Sequence, residues 1–202
     1  MSDPERFRER YQDTCLEDLP WFHSEPDPDL LTAFDRVLEG PSRVLDLGAG
    51  PAVNSIWLAA RGHEVVAVDA IDRAKDMALA LAADRGATLE YLVHDALDIG
   101  HLAAFDMILD RGFMHTLSSE HRPAWRRAVS GALRVGGHVV VKCFDVRPTR
   151  DFGPAGLTAV EVIETLGDPD LGGMELVNLE RTTFPGELER HATWTAIGRR
   201  VS

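Results

Sequence analysis

From Ser42 onward, short apolar runs rich in valine, isoleucine and leucine alternate with longer stretches whose apolar positions recur at helical spacing. That alternation marks a parallel sheet whose strands are joined by crossover helices. Strands are predicted at Arg43–Leu47, Glu64–Asp69, 89–93, 106–109 and 138–144, the last rich enough in valine to be buried on both faces. Helices are predicted at about 52–61, 74–85 and 120–133, with Gly62 and Gly86 as stops and Gly136 and Gly137 making a turn. Beyond residue 146 the pattern changes. Pro148, Gly153, Pro154 and Gly156 within 147–156 describe a loop, and 158–166 a short helix. Two strands at 175–183 and 191–199, joined through Phe184, Pro185 and Gly186, should pair antiparallel because the link is short. Upstream, a further helix is predicted at about 29–38.

Composition narrows the class. A chain of 202 residues, 45% hydrophobic and 27% charged, can bury a core as a single domain without metals or disulfides. No apolar run approaches the roughly 20 residues that cross a bilayer, and the polar residues 1–10 lack the apolar region of a secretory signal. Cytoplasmic residence without a membrane partner is therefore expected. Cys15 and Cys143 belong to no metal-ligand spacing; both read as buried thiols, and no metal is expected. The formal charge of −12 repels phosphate backbones and argues against nucleic acid as a partner. The local cluster of Arg122, Arg126 and Arg127 reads as a solvated helix face.

The informative chemistry lies in VLDLGAGP, residues 44–51, at the turn from the first core strand to its helix. Gly48 and Gly50 let the backbone turn sharply and approach a ligand at the carboxyl edge of the sheet, where open α/β folds bind. A dinucleotide fingerprint would place a third glycine at position 53, but that residue is Val53. Asp46, two residues before the first glycine, would repel a pyrophosphate and suits a ligand that presents an ammonium. S-adenosylmethionine has an ammonium, a sulfonium and no phosphate. Asp69, ending the second strand, sits where an acid can accept bonds from both ribose hydroxyls. Asp95, just past the third, is placed for an adenine amino group, with Ala96 or Leu97 along the ring. Asp72 and Asp98 read as caps or turn residues.

On VLDLGAGP, VAVDA, HDAL, FDMILDRG and LRVGGHVVVK, in that order over roughly residues 41–144, the chain resembles the class I S-adenosylmethionine-dependent methyltransferases. PWFHSEPDPDLL and DRGFMHTL further resemble the small-molecule branch that includes thiopurine, tellurite-resistance and heterocyclic-toxin methyltransferases. The resemblance implies a Rossmann-like α/β fold: a seven-stranded, mostly parallel sheet with helices on both faces and one antiparallel strand near the C-terminus. Within one domain, 1–40 would form a helical lid segment, 41–144 the cofactor-binding core, and 145–202 an acceptor loop and the terminal strands. Asp46, Gly48, Ala49, Gly50, Asp69, Ala70, Asp95 and Ala96 are then the expected cofactor contacts. Asp110 would hold the methionine end, and Trp21 and Phe22 would either cover the cofactor or staple the next helix. Arg111 and His115, with Asp110 beside them, are the catalytic candidates, orienting or deprotonating a small-molecule acceptor. Phe144, Arg147 and Phe152 would contribute to the acceptor pocket.

Transfer would leave S-adenosylhomocysteine. Sulfur, nitrogen and oxygen acceptors all fit this reading, as do a monomer and a homodimer. Two other classes compete. A nucleotide-dependent oxidoreductase shares the fold, but Val53 and Asp46 count against it; a non-catalytic cofactor-binding protein would keep both the acids and the turn. Nucleic-acid methylation calls for an Asn/Asp-Pro-Pro-aromatic motif or a basic face, where this chain has Asp110, Arg111 and Gly112.

Overall fold

The valine-rich runs become seven strands of one sheet, in the order β3-β2-β1-β4-β5-β7-β6. A computed structural model describes residues 4–102, 104–146, 153–167, 173–185 and 191–202. The strands are β1 (Arg43–Leu47), β2 (Glu64–Asp69), β3 (Glu90–Val93), β4 (Phe105–Arg111), β5 (Leu133–Phe144), β6 (Met174–Thr183) and β7 (Ala192–Arg200). β1 to β5 run parallel, while β7 lies antiparallel between β5 and β6 and is the one reversed strand. The parallel registers bring the carboxyl ends of β1, β2, β4 and β5 to one edge, where open α/β sheets bind ligands.

Among the described residues, six helices cover the two faces: α1 (Pro4–Asp13), α2 (Pro28–Val37), α3 (Val53–Ala59), α4 (Asp72–Asp84), α5 (Arg122–Ala132) and α6 (Ala159–Leu166). Strand alternation decides which face each residue serves. Leu45, Ile108, Val139 and Val141 pack with Trp125, Val129, Val162 and Leu166 of α5 and α6. Val44, Met107, Leu109 and Val140 pack with Leu30, Phe34, Ile56 and Ala78 of α2, α3 and α4.

The structure departs from the sequence reading at particular elements. α1 lies in the segment expected to be helical, but no apolar period marks its bounds, because PERFRERYQD has only Phe7 and Tyr11 as apolar residues; it is held by packing those rings among Leu19, Ile71, Ala74 and Met77. β5 begins at Leu133, five residues early. Leu133 pairs with Phe105, the register breaks, and pairing resumes at His138 with Met107. Gly136, at φ +82, supplies the break, and a side chain on Gly137 would meet the Phe105 and Asp106 carbonyl oxygens at 3.0 Å. Arg126 is buried, not solvated: its guanidinium donates to the Glu164 carbonyl at 3.1 Å, while Arg122 pairs with Glu161 at 2.9 Å. Cys143 is buried as expected, and Cys15 is exposed. Arg147 and Phe152 lie outside the described residues. Among the described residues no helix is long and apolar enough to cross a membrane.

Candidate active site

The turn after β1 is left-handed three times in five residues, at Gly48 (φ +61), Gly50 (φ +52) and Ala52 (φ +56). A side chain at either glycine would strike its cover: a Cβ on Gly48 would lie 2.8 Å from the Phe113 Cβ, and one on Gly50 would lie 2.7 Å from the Tyr11 hydroxyl. The turn thus sits under an aromatic roof. Trp21 completes it, donating its indole N–H to the Tyr11 hydroxyl at 3.0 Å and packing edge-to-face on Phe7 and Tyr11. Trp21 and Phe22 join the α1–α4 cluster that holds Tyr11.

Two carboxylates frame the turn. Asp69 accepts the Gly50 N–H at 3.0 Å on one oxygen and the Ile71 N–H at 3.0 Å on the other. Tyr91 locks the opposite side by donating to the Gly50 carbonyl at 2.8 Å. Asp46 is buried beneath, accepting from the Ser55 hydroxyl of α3 at 2.5 Å. Burial pushes the Asp46 carboxyl up to about 7, and Asp110 and Asp69 add to it against the Ser55 bond and the Arg111 charge. Burial raises Asp69 as well, against its backbone bonds. This cluster of acids is short of positive charge, so a cationic ligand would relieve it while a phosphate would worsen it. Ala49 and Ala70 flank the two acids, the first half-buried and the second exposed. Asp95 is exposed and accepts the Leu97 N–H at 2.8 Å, with Ala96 buried beside it. An acid–glycine–acid edge with these donors and acceptors fits the ammonium, ribose and adenine of S-adenosylmethionine.

Adjacent residues of β4 diverge by strand parity. Asp110 points to the α5 face, fully buried, and caps the short 3-10 turn Met114–Thr116: it accepts from the N–H groups of Phe113 (2.8 Å) and Met114 (3.0 Å) and from the Trp125 indole (2.8 Å). Burial pushes its carboxyl up to about 6, against those same bonds. Arg111 points the other way, to α2. It donates to the Trp21 carbonyl at 3.2 Å and approaches Asp27 at 3.4 Å; burial lowers its pKa and Asp27 opposes that.

Asp27, the cap of α2, also receives Lys142 at 2.6 Å, and Lys142 reaches Asp29 at 2.7 Å. Asn54 accepts the Asp27 N–H at 3.0 Å. Lys142 is fully buried. Sequence reading missed Asp27, Asn54 and Lys142, although a lysine inside the buried run VVVKCF must find a carboxylate, and Asp27 in PDPD had the form of a helix cap.

His115 is buried at the ends of β4 and β5 and belongs to an aromatic cluster. Its ring stacks on Phe144 with centroids 4.8 Å apart, Phe184 meets Phe144 edge-on at 5.0 Å, and His191 meets Phe144 at 6.1 Å. The Arg111 guanidinium lies 4.9 Å from the Phe184 centroid. His115 Nδ1 accepts the Phe144 N–H at 2.9 Å. The neutral ring therefore carries its proton on Nε2. Sequence reading placed Phe184 only in the strand link and His191 only at the start of the last strand, because neither position has a pattern that marks a site.

The sheet is parallel but for one reversed strand, and its acid-framed glycine turn lacks the third glycine of a dinucleotide site. Comparison with known proteins makes this specific. A methyltransferase domain family matches residues 44–137. The 2-heptyl-1-hydroxyquinolin-4(1H)-one methyltransferase of Mycobacteroides abscessus is 30% identical over 148 residues, 69% of this chain; the match spans 63% of that relative's length. The cypemycin N-terminal methyltransferase of Streptomyces sp. is 29% identical over 98% of this chain and 84% of that protein. In fold, the chain is similar to the Burkholderia thailandensis 1,6-didemethyltoxoflavin-N1-methyltransferase, solved with 1,6-didemethyltoxoflavin and S-adenosylhomocysteine. The TM-score is 0.76 at 20% identity, with 100% of this chain and 88% of that one covered. Residues 44–137 thus match a methyltransferase domain, and the fold is that of the class I S-adenosylmethionine-dependent methyltransferases.

Proposed function

We propose that the chain methylates a small, flat heteroaromatic acceptor at nitrogen, oxygen or sulfur, held against the His115–Phe144–Phe184 cluster. The observation that carries this reading is the position of that cluster. It stands at the carboxyl ends of β4 and β5, and the same short turn lays Phe113 on Gly48 and His115 near Gly112. The names of two similar proteins, one acting on a hydroxyquinolinone and one on a toxoflavin precursor, support an acceptor with a ring face.

When bound, S-adenosylmethionine would supply an electrophilic methyl group on a cationic sulfur. The chain's own part is orientation and exclusion of water. We assign Asp46 to the ammonium, Asp69 to the ribose, Asp95 and Ala96 to the adenine, and Gly48, Ala49, Gly50 and Ala70 to backbone approach. Tyr11 and Trp21 roof the site. His115 is assigned an orienting role: its Nδ1 already accepts the Phe144 N–H, which fixes the ring against Phe144 as a face for the acceptor. Asp110 is a positioning residue that fixes the 113–116 turn, and Arg111 positions the lid through the Trp21 carbonyl. The charge of −12 supports a reading without nucleic acid as partner.

A second reading, methylation of a peptide amino terminus, is favoured by the cypemycin relative. Incubation with methyl-labelled S-adenosylmethionine and a panel of hydroxyquinolinones, N-heterocycles, thiols, phenols and short peptides separates the two. Label is expected on heteroaromatics, with Phe144→Ala and Phe184→Ala raising the acceptor KM and leaving cofactor affinity unchanged. Label confined to peptide amines, or none despite cofactor binding, overturns the proposal.

A further inference from the structure

The loop after β3 reads HDALDIGH, and it folds so that His94, Asp98 and His101 converge on the outer surface. One ligand atom from each lies within 4.8 Å of the others. His94 Nε2 stands 3.5 Å from a carboxylate oxygen of Asp98 and 2.9 Å from the Asp98 carbonyl, and the two imidazoles meet edge-to-face with centroids 5.5 Å apart. We propose that these three side chains bind a late first-row divalent transition ion, of which zinc is the representative. The proposal is independent of methyl transfer.

The loop backbone is built to hold the ligands in place. The His94 N–H donates to the Asp69 carbonyl at 3.0 Å, the Asp98 N–H to the Asp95 carbonyl at 3.0 Å, and the Leu102 N–H to the Ile99 carbonyl at 2.9 Å. Ala96 and Ile99, between the ligands, are buried in the core. Ligands so spaced and anchored lose little freedom on binding. Zinc bonds of about 2.0–2.2 Å in a tetrahedron set donors roughly 3.3–3.6 Å apart, a distance that His94 and Asp98 already meet. His101 and Asp98 are exposed, so the remaining adjustment is a side-chain rotation.

The donor set selects the metal. Two imidazoles and one carboxylate suit zinc, nickel, cobalt or copper, whereas calcium and magnesium require more oxygen ligands than this loop offers. Water would fill the outward positions. On binding, the ion takes the His94 Nε2 lone pair, the bond from Nε2 to the Asp98 carbonyl breaks, and the ring proton resides on Nδ1.

The test is calorimetric titration of the full chain with zinc, in a Cys15→Ser background that removes the exposed thiol, beside electron paramagnetic resonance with copper. One zinc per chain is expected, and His94→Ala or His101→Ala should each weaken binding by about tenfold or more. The copper spectrum should show hyperfine coupling to two nitrogens, falling to one in either variant. Asp98→Asn should weaken zinc while preserving both nitrogens, and unchanged thermal midpoints in all three variants would show that the fold is intact. No zinc uptake, or the same uptake in a His94→Ala/His101→Ala double variant, overturns the site.

Discussion

Two buried polar clusters lie within the same sheet edge and differ in their charge balance. Around Asp27, two carboxylates (Asp27 and Asp29) meet two cations (Lys142 and Arg111), with Asn54 and the helix cap taking further bonds. Around the glycine turn, Asp46, Asp69 and Asp110 meet a hydroxyl, backbone N–H groups and an indole, and burial raises all three carboxyls. The first cluster is closed on itself and ties the N-terminal segment to β4 and β5. The second is left unbalanced, and a cationic ligand would balance it. An internally satisfied network marks a strut; an unbalanced one marks a ligand site.

The largest test breaks the strut. Lys142→Met leaves Asp27 buried beside Arg111 alone and should cost about 3–5 kcal/mol in denaturant unfolding. A change under 1 kcal/mol, roughly what an exposed pair is worth, would show that the cluster bears no strain. Next comes the open cluster: Asp69→Ala should lower S-adenosylmethionine affinity by about 30- to 100-fold, the loss of two good hydrogen bonds, with the far-ultraviolet spectrum retained. Affinity within threefold of the parent would place the ribose elsewhere.

Asp46→Asn should act in opposite directions on the two properties. Removing a buried, poorly compensated acid should raise apo stability at pH 8 by about 1–2 kcal/mol, while cofactor affinity falls. The pH dependence follows from the sign of the shift. An acid raised from 3.8 to about 7 in the fold costs apo stability progressively as pH rises between those values and no further above. A bound cation stabilises the ionised form, so cofactor affinity should rise as pH passes about 7, and calorimetry on Asp46→Asn should show that step lost. The smallest effect is expected at Ala52, whose φ of +56 is unusual for a residue with a Cβ. Ala52→Gly should stabilise by up to about 1 kcal/mol, with cofactor affinity unchanged. A loss of stability there would mean that the Ala52 methyl, buried among the α2 and α3 side chains, outweighs the strain.

Much of this was legible in the linear chain, because the signals are local. Valine-rich runs with glycine stops placed most strands within a few residues, and the Asp46-x-Gly48-x-Gly50 turn with Asp69 one βαβ step later needed only spacing. The antiparallel pairing of the last two strands followed from a short link, but which of them is reversed in the sheet did not. What stayed hidden was set by contacts distant in sequence. α1 exists because Phe7 and Tyr11 find a surface on α4, and the extension of β5 depends on Leu133 meeting Phe105. Asp110 and Arg111, neighbours in sequence, serve opposite faces because a strand turns successive side chains apart. Periodicity and turn chemistry determined the sheet, its helices and the acid-framed edge. Only the packed fold decided which charges are paired across 115 positions, as Lys142 and Asp27 are, because desolvation acts on groups brought together in space.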